Sequence, residues 1–155
     1  MENREMEIRK ILVPVDFSAD SQRALDEAIG LARIFDADLT LFHCYPIPIP
    51  SFGRVPFGTV APESYANAAR AAALERVTRW RDLALAQKVR AEALVGTGSP
   101  ASEIAALAEK IGADLIVIGT RGRSGIPHVL LGSVAERTVR IAPCPVLTVK
   151  ASNPD

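Results

Sequence analysis

Gly119, Gly122, Gly132 and Ser133 are spaced as Gly-x2-Gly-x9-Gly-Ser, immediately after the apolar run Leu115–Ile118. Glycine has no Cβ, so backbone N–H groups beside it can approach an anion closely. A helix beginning at Ser133 would add unpaired N–H groups and the positive end of its dipole. Phosphate recognition is the chemistry this spacing suits, and nucleotide binding follows from it. Two isolated glycines would read as a turn, but Gly119, Gly122, Gly125 and Gly132 all fall in one short segment behind a buried run. Arg121 and Arg123 sit among them, where they either neutralise phosphate charge or face solvent. The segment has no lysine and lacks the GK[ST] ending, so it is not a Walker A loop.

Ser133-Val134-Ala135-Glu136 also fits a capping box, and capping is compatible with a phosphate contact from the same hydroxyl. Asp16 ends the apolar run Lys10–Val15. A carboxylate there can accept from ribose hydroxyls, hold a divalent metal, or cap the next helix as an Asx turn. His43 lies in a strand-like context and His128 within the glycine segment, the latter without a carboxylate beside it. Two histidines at these positions make neither a Ser/His/Asp set nor a metal-ligand set. No catalytic residue and no protein metal site is therefore expected.

The elements that would carry these residues alternate. Lys10–Val15 reads as a strand buried on both faces, and Pro14 within it removes one ladder N–H. Ser18 is a fitting N-cap for a helix over Ala19–Phe35, with Ala24, Leu25, Ala28, Ile29 and Ala32 on its core face. Asp38–Tyr45 is a second strand. Pro46–Pro62, rich in proline, is a loop whose Phe52, Val55, Phe57 and Val60 either fold back onto the next helix or form a lid or partner surface. A long helix from Glu63 to about Gln87 should bury Leu74, Val77, Trp80 and Ala84. Arg90–Val95 is the third strand. Ser99-Pro100 opens a helix with core face Ile104, Leu107, Ala108 and Ile111, and Gly112 ends it. Ala113–Ile118 is the fourth strand, Ser133 to about Ile141 a short helix, and Pro145–Lys150 the fifth strand.

Such alternation predicts an α/β fold with a mainly parallel sheet, in one domain over 1–155 with its core at about 8–150. Ligands of these sheets sit beyond the carboxyl ends of the strands, where strand order reverses. Asp16, Cys44 and Gly119 all belong to that edge. Lys+Arg and Asp+Glu number 18 each, which favours neither nucleic acid nor an anionic membrane. No apolar stretch nears the roughly 20 residues of a membrane helix. The polar start, Met1–Glu7, is unlike a secretory signal. Cys44 and Cys144 have no CxxC partner and read as reduced thiols, so a cytoplasmic location is expected.

These residues resemble the universal stress protein family, in its ATP-binding branch. The glycine spacing is that branch's motif, Ile11–Ser18 looks like the family's first strand and turn, and Pro143–Val149 looks like its last strand. The resemblance runs from about Ile8 to Lys150 and departs from the family at Pro46–Pro62. It implies an open five-stranded parallel sheet in order 3-2-1-4-5, Rossmann-like, with helices on both faces. It further implies that ATP lies across strands one and four. Asp16 would contact the ribose, and main-chain groups of Pro14, Val15 and Cys44 would line the adenine pocket. Gly119, Gly122, Gly132, Ser133 and Val134, with Arg121 beside them, would surround the ribose and phosphates. A magnesium or manganese ion would bridge the phosphates. The resemblance also implies a homodimer through the last strand, about 145–150, whose apolar edge needs cover.

Binding does not imply turnover. Phosphoryl transfer needs a residue that positions the nucleophile, and none is evident. The first reading is a nucleotide-sensing regulatory module in a stress response, read by a protein partner that the sequence does not identify. The second is a slow metal-dependent ATPase, and the third a structural dimer without nucleotide.

Overall fold

The fold is described from a computed structural model, in which residues 5–47, 63–121 and 131–151 are defined. Five parallel strands form one sheet: β1 (Lys10–Pro14), β2 (Asp38–Cys44), β3 (Ala91–Gly96), β4 (Leu115–Gly119) and β5 (Val146–Val149). Their spatial order is β3-β2-β1-β4-β5, as the family resemblance implies. β1 is central, pairing with β2 from Lys10↔Asp38 to Pro14↔Phe42 and with β4 at Ile11↔Leu115 and Leu12↔Ile116. The chain leaves β1 towards β2 on one side and returns through β4 on the other. The order therefore reverses at β1, and the two connections diverge above its carboxyl end.

Residues 11–14 of β1 are all buried because helices cover both faces. On one face α1 (Ala19–Phe35) and α2 (Glu63–Ala86) pack Ala24, Leu25, Ala28, Ile29, Val77 and Ala84 onto Ile11, Val13, Leu39, Leu41 and Val117. On the other, α3 (Pro100–Ile111) and α4 (Ser133–Ile141) bring Ile104, Ala108 and Ala135 onto Leu12, Phe42, Ile116 and Ile118. Alternate residues of one strand thus serve different cores, as the two-residue period of a strand requires.

Two of the helix-end signals act as their chemistry predicts, whereas Ser99, the N-cap of α3, makes no side-chain cap bond. Ser18 caps α1 by accepting from the Ser21 N–H, and Gly112 ends α3 in the left-handed region at φ 64°, a conformation glycine adopts without Cβ strain. α2 differs from expectation in one turn. Leu74 is exposed at 37%, and its neighbour Ala73 is buried instead. In so alanine-rich a helix the apolar residues surround the axis, so the sequence pattern marks the inward face only weakly.

Candidate functional site

A cavity of about 220 Å³ opens at the carboxyl ends of β1 and β4. Pro14, Val15 and Asp16 reach it from the end of β1, and Cys44 from the end of β2. Gly119 and Arg121 reach it from the end of β4, and Gly132, Ser133 and Val134 from the start of α4. Gly122, the remaining residue expected here, lies outside the described residues, as do Arg123, Gly125, His128 and the apolar residues of the Pro46–Pro62 loop from Phe52 to Val60. Among the other residues that line the cavity, Ser21, Phe42, Ile104 and Ile118 were not singled out as site residues by sequence. Phe42, Ile104 and Ile118 give it an apolar floor.

The β1–α1 turn is fixed by its own polar groups. Asp16 Oδ1 accepts from the Ser18 N–H at 3.0 Å, the Asx-turn geometry, and the Asp16 N–H donates to Ser21 Oγ at 3.2 Å. Asp16 is thus both a local capping group and a cavity residue. Phe17, between them, holds φ 65°, which costs a bulky residue on the order of 1–3 kcal/mol. Its ring contacts offset that cost. The ring lies 4.6 Å from His43 and 5.1 Å from Trp80, with the Arg76 guanidinium 4.0 Å above it.

Val15 has its main chain engaged on both sides: its N–H donates to the Phe42 carbonyl at 2.8 Å, and His43 Nδ1 is 2.7 Å from its own carbonyl. A ring nitrogen bonded to a carbonyl carries the proton, so His43 supports the pocket wall as a donor. Cys44 stands two residues beyond Phe42, where β2 pairing to β1 has ended. In the alternation of the ladder its main-chain N–H and C=O face that open side. The Cys44 thiol donates to the Gly98 carbonyl at 3.5 Å, and burial, then the Glu103 carboxylate, push its pKa up. Cys144 is likewise free, raised by burial and then by Asp114.

The capping box at Ser133 does not form. Gly132 is the N-cap, Ser133 is the first helical residue, and the cap carries no side-chain bond. Glu136 instead donates its N–H to the Gly132 carbonyl and pairs its carboxylate with Arg140 at 2.7 Å. The helix starts one residue earlier than a Ser133 cap requires, because the Gly132 N–H is held by the Thr120 carbonyl. The N–H groups of Ser133, Val134 and Ala135 then have no intrahelical acceptor and stand at the cavity wall. With the N-terminal ends of α1 at Ser21 and α3 at Pro100 also there, three helix dipoles present their positive ends to one space.

Sequence reasoning missed the most connected polar residue near the site. Asp20 is 3% exposed. Its Oδ2 accepts from Thr120 Oγ1 at 2.8 Å, the Arg121 N–H at 3.0 Å and Arg121 Nε at 3.2 Å. Its Oδ1 accepts from Arg121 Nη2 at 3.4 Å and the Ala151 N–H at 3.0 Å. Burial pushes the Asp20 pKa up, but the bonds from Arg121, Thr120 and Ala151 outweigh it and the net shift is downward. The Arg121 guanidinium, expected near phosphate, is therefore neutralised by Asp20. One signal could have found Asp20: the buried stripe Ala24, Ala28, Ala32, extended back by one turn, falls on it.

Among the described residues no group of three or more His, Cys, Asp or Glu could hold a metal ion, and no helix is long and apolar enough to cross a membrane. A metal at this site would take its ligands chiefly from phosphate and water, as magnesium commonly does, with Asp16 the one carboxylate on the described wall.

Comparison with known proteins gives a consistent picture. The pattern of the universal stress protein family matches residues 7–150. Universal stress protein MJ0531 of Methanocaldococcus jannaschii is 36% identical, over 96% of this chain and 85% of that protein. Universal stress protein YxiE of Bacillus subtilis is 32% identical, over 91% of this chain and 98% of that one. Among solved structures, a universal stress protein in complex with cAMP superposes with a TM-score of 0.68 at 28% identity, covering 94% of this chain and 99% of that one. The universal stress protein UspA of Lactobacillus plantarum superposes with a TM-score of 0.76 at 25% identity, over 94% and 99% of the two chains.

Proposed function

The chain belongs to the universal stress protein family, and from that premise we propose that it binds ATP and acts as a nucleotide-sensing regulatory module. One observation carries the reading. Residues from the ends of β1, β2 and β4 and from the start of α4, far apart in sequence, line a single cavity at the point where strand order reverses. The cAMP held by a related structure, 28% identical to this chain, supports a nucleotide as the ligand class.

In this reading the base enters between Ile104 and the end of β2, with the Cys44 N–H and C=O facing its hydrogen-bonding edge. Asp16 accepts from the ribose. The phosphates run past Gly119 and Gly132 to the free N–H groups of Ser133 and Val134, where three helix termini supply positive potential. The Arg121 main chain continues this wall, and on the family resemblance Gly122 would add a phosphate contact. A magnesium or manganese ion, when bound, would neutralise phosphate charge that Arg121, engaged by Asp20, leaves uncompensated. The cavity is smaller than the roughly 300–1,000 Å³ usual for drug-sized ligands, so part of the nucleotide lies outside it.

The protein would work in the cytoplasm as a homodimer. Edge strand β5, with Leu147 exposed at 39% and α4 residues Val139 and Ile141 exposed beside it, offers the apolar surface for that pairing. A protein partner would read the nucleotide-bound surface.

The test is to denature freshly purified protein and chromatograph the nucleotide it releases, with Gly132→Val as control. Stoichiometric ATP, lost in the variant, is expected. ADP in its place would favour slow hydrolysis. A wild-type protein that releases nothing and ignores added ATP would overturn the reading.

A further inference from the structure

Asp20 contributes no surface to the cavity, yet it holds the segment that does. We propose that Asp20 is a positioning residue for the phosphate-binding part of the site, fixing Thr120 and Arg121 and tying them to the end of β5 through the Ala151 N–H; this rests on the nucleotide reading above.

Asp20 lies in the first turn of α1, and its side chain is 4% exposed against 19% for Arg121. A buried carboxylate is tolerated only when its lone pairs are satisfied, and this one accepts from five donors supplied by Thr120, Arg121 and Ala151. The fork of Arg121 meets both oxygens, so the guanidinium plane is set by Asp20. Removing the charge would leave a half-buried cation, the Thr120 hydroxyl and two backbone donors competing for one acceptor.

The consequence passes to the site through the backbone. Asp20 fixes Thr120 Oγ1 and the Arg121 N–H, while the Thr120 N–H donates to the Val149 carbonyl at 2.8 Å. The Thr120 carbonyl, so oriented, accepts from the Gly132 N–H and sets where α4 begins. The three free N–H groups of α4 are thus aimed by a chain of bonds rooted at Asp20. That chain also contains Val149 and Ala151, the last residue of β5 and the residue two beyond it. Nucleotide occupancy and the C-terminal edge of the sheet are therefore mechanically joined.

The test compares affinities for ATP and for adenosine in the full-length protein, at a temperature where circular dichroism shows each variant folded. A residue that positions the phosphate wall alters the ATP-to-adenosine ratio, whereas one that only stabilises the fold does not. Asp20→Asn should lower that ratio about tenfold, within the range of indirect couplings, and Thr120→Val should lower it less. Thr120→Val serves where Asp20→Asn does not fold. In the wild type, saturating ATP should slow amide exchange at Ala151. Unchanged ratios in the folded variants with ATP-indifferent Ala151 exchange would overturn the role of Asp20 while leaving the nucleotide reading intact. A wild type that binds neither ligand would remove both.

Discussion

Gly119 lies against the backbone of Asp20. A Cβ on Gly119 would stand 2.8 Å from the Asp20 carbonyl carbon, 2.8 Å from the Ser21 nitrogen and 2.9 Å from the Asp20 Cβ. The first two are main-chain atoms of the first turn of α1 and the third is a Cβ fixed to that backbone, so no side-chain rotation relieves the overlap. The first glycine of the motif is required by helix–strand packing, whatever it does for an anion. Gly119→Ala should therefore destabilise the protein by about 1–3 kcal/mol, as overpacking commonly does. Urea denaturation without nucleotide checks this, and an unchanged midpoint would show that α1 can move away.

Ser133 makes the opposite case. With Gly132 as N-cap and no side-chain bond at the cap, Ser133→Ala should change stability by less than about 0.5 kcal/mol. A capping serine would cost about 1 kcal/mol when replaced by alanine. ATP affinity should nevertheless fall if the hydroxyl meets a phosphate. Paired denaturation and titration of this one variant separate the two roles.

The buried carboxylate gives stability a pH dependence of defined sign. The folded pKa of Asp20 is lowered, so its contribution is complete above the ordinary aspartate value of about 3.9 and is lost as pH falls through the lower folded value. Urea midpoints between pH 6 and 3, about the span over which such a group titrates, should decline more steeply in the wild type than in Asp20→Asn. Parallel curves would show that other carboxylates dominate acid unfolding.

Both thiols have raised pKa values, so both should react slowly with thiol reagents near neutral pH, where attack needs the thiolate. Only Cys44 lines the cavity. ATP should slow the labelling of Cys44 in a Cys144→Ser variant and leave Cys144 in a Cys44→Ser variant unaffected. Equal protection of both would point to a global change rather than occupancy of the site.

Most of the fold was legible in the sequence because its signals are local. Ser18 and the 3.6-residue stripe place α1 close to its observed bounds, Ala19–Phe35. Asp16, Cys44, Gly119, Gly132 and Ser133 stood out as site candidates because each lies at the end of an apolar run or the start of a helix, whereas Pro14, Val15 and Val134 were named only through the family resemblance. Asp20 was not legible, since its partners are 100, 101 and 131 residues away and first-turn acidic residues are usually explained by the helix dipole. Ser133 was misassigned as a cap for the same reason: the position of the true cap depends on a bond from Gly132 to Thr120, which no local pattern reports. Leu74 illustrates a third limit, an alanine-rich helix whose inward face is decided by what it packs on.

The bond from the Gly132 N–H to the Thr120 carbonyl has an evolutionary corollary. It joins the end of β4 to the start of α4, and beside it Arg121 bonded to Asp20 and Leu131 packed on the core tie the same two elements to the framework. Each doubling in the length of a flexible loop costs only about 0.6 kcal/mol in closure entropy. Insertions, deletions and wholesale exchange between residues 121 and 131 should accordingly leave the sheet and the start of α4 where they are. On the proposed nucleotide reading, the nine-residue interval of the motif is a constraint set by the ligand rather than by folding, and exchange of residues 122–130 should alter which anion is held without altering stability.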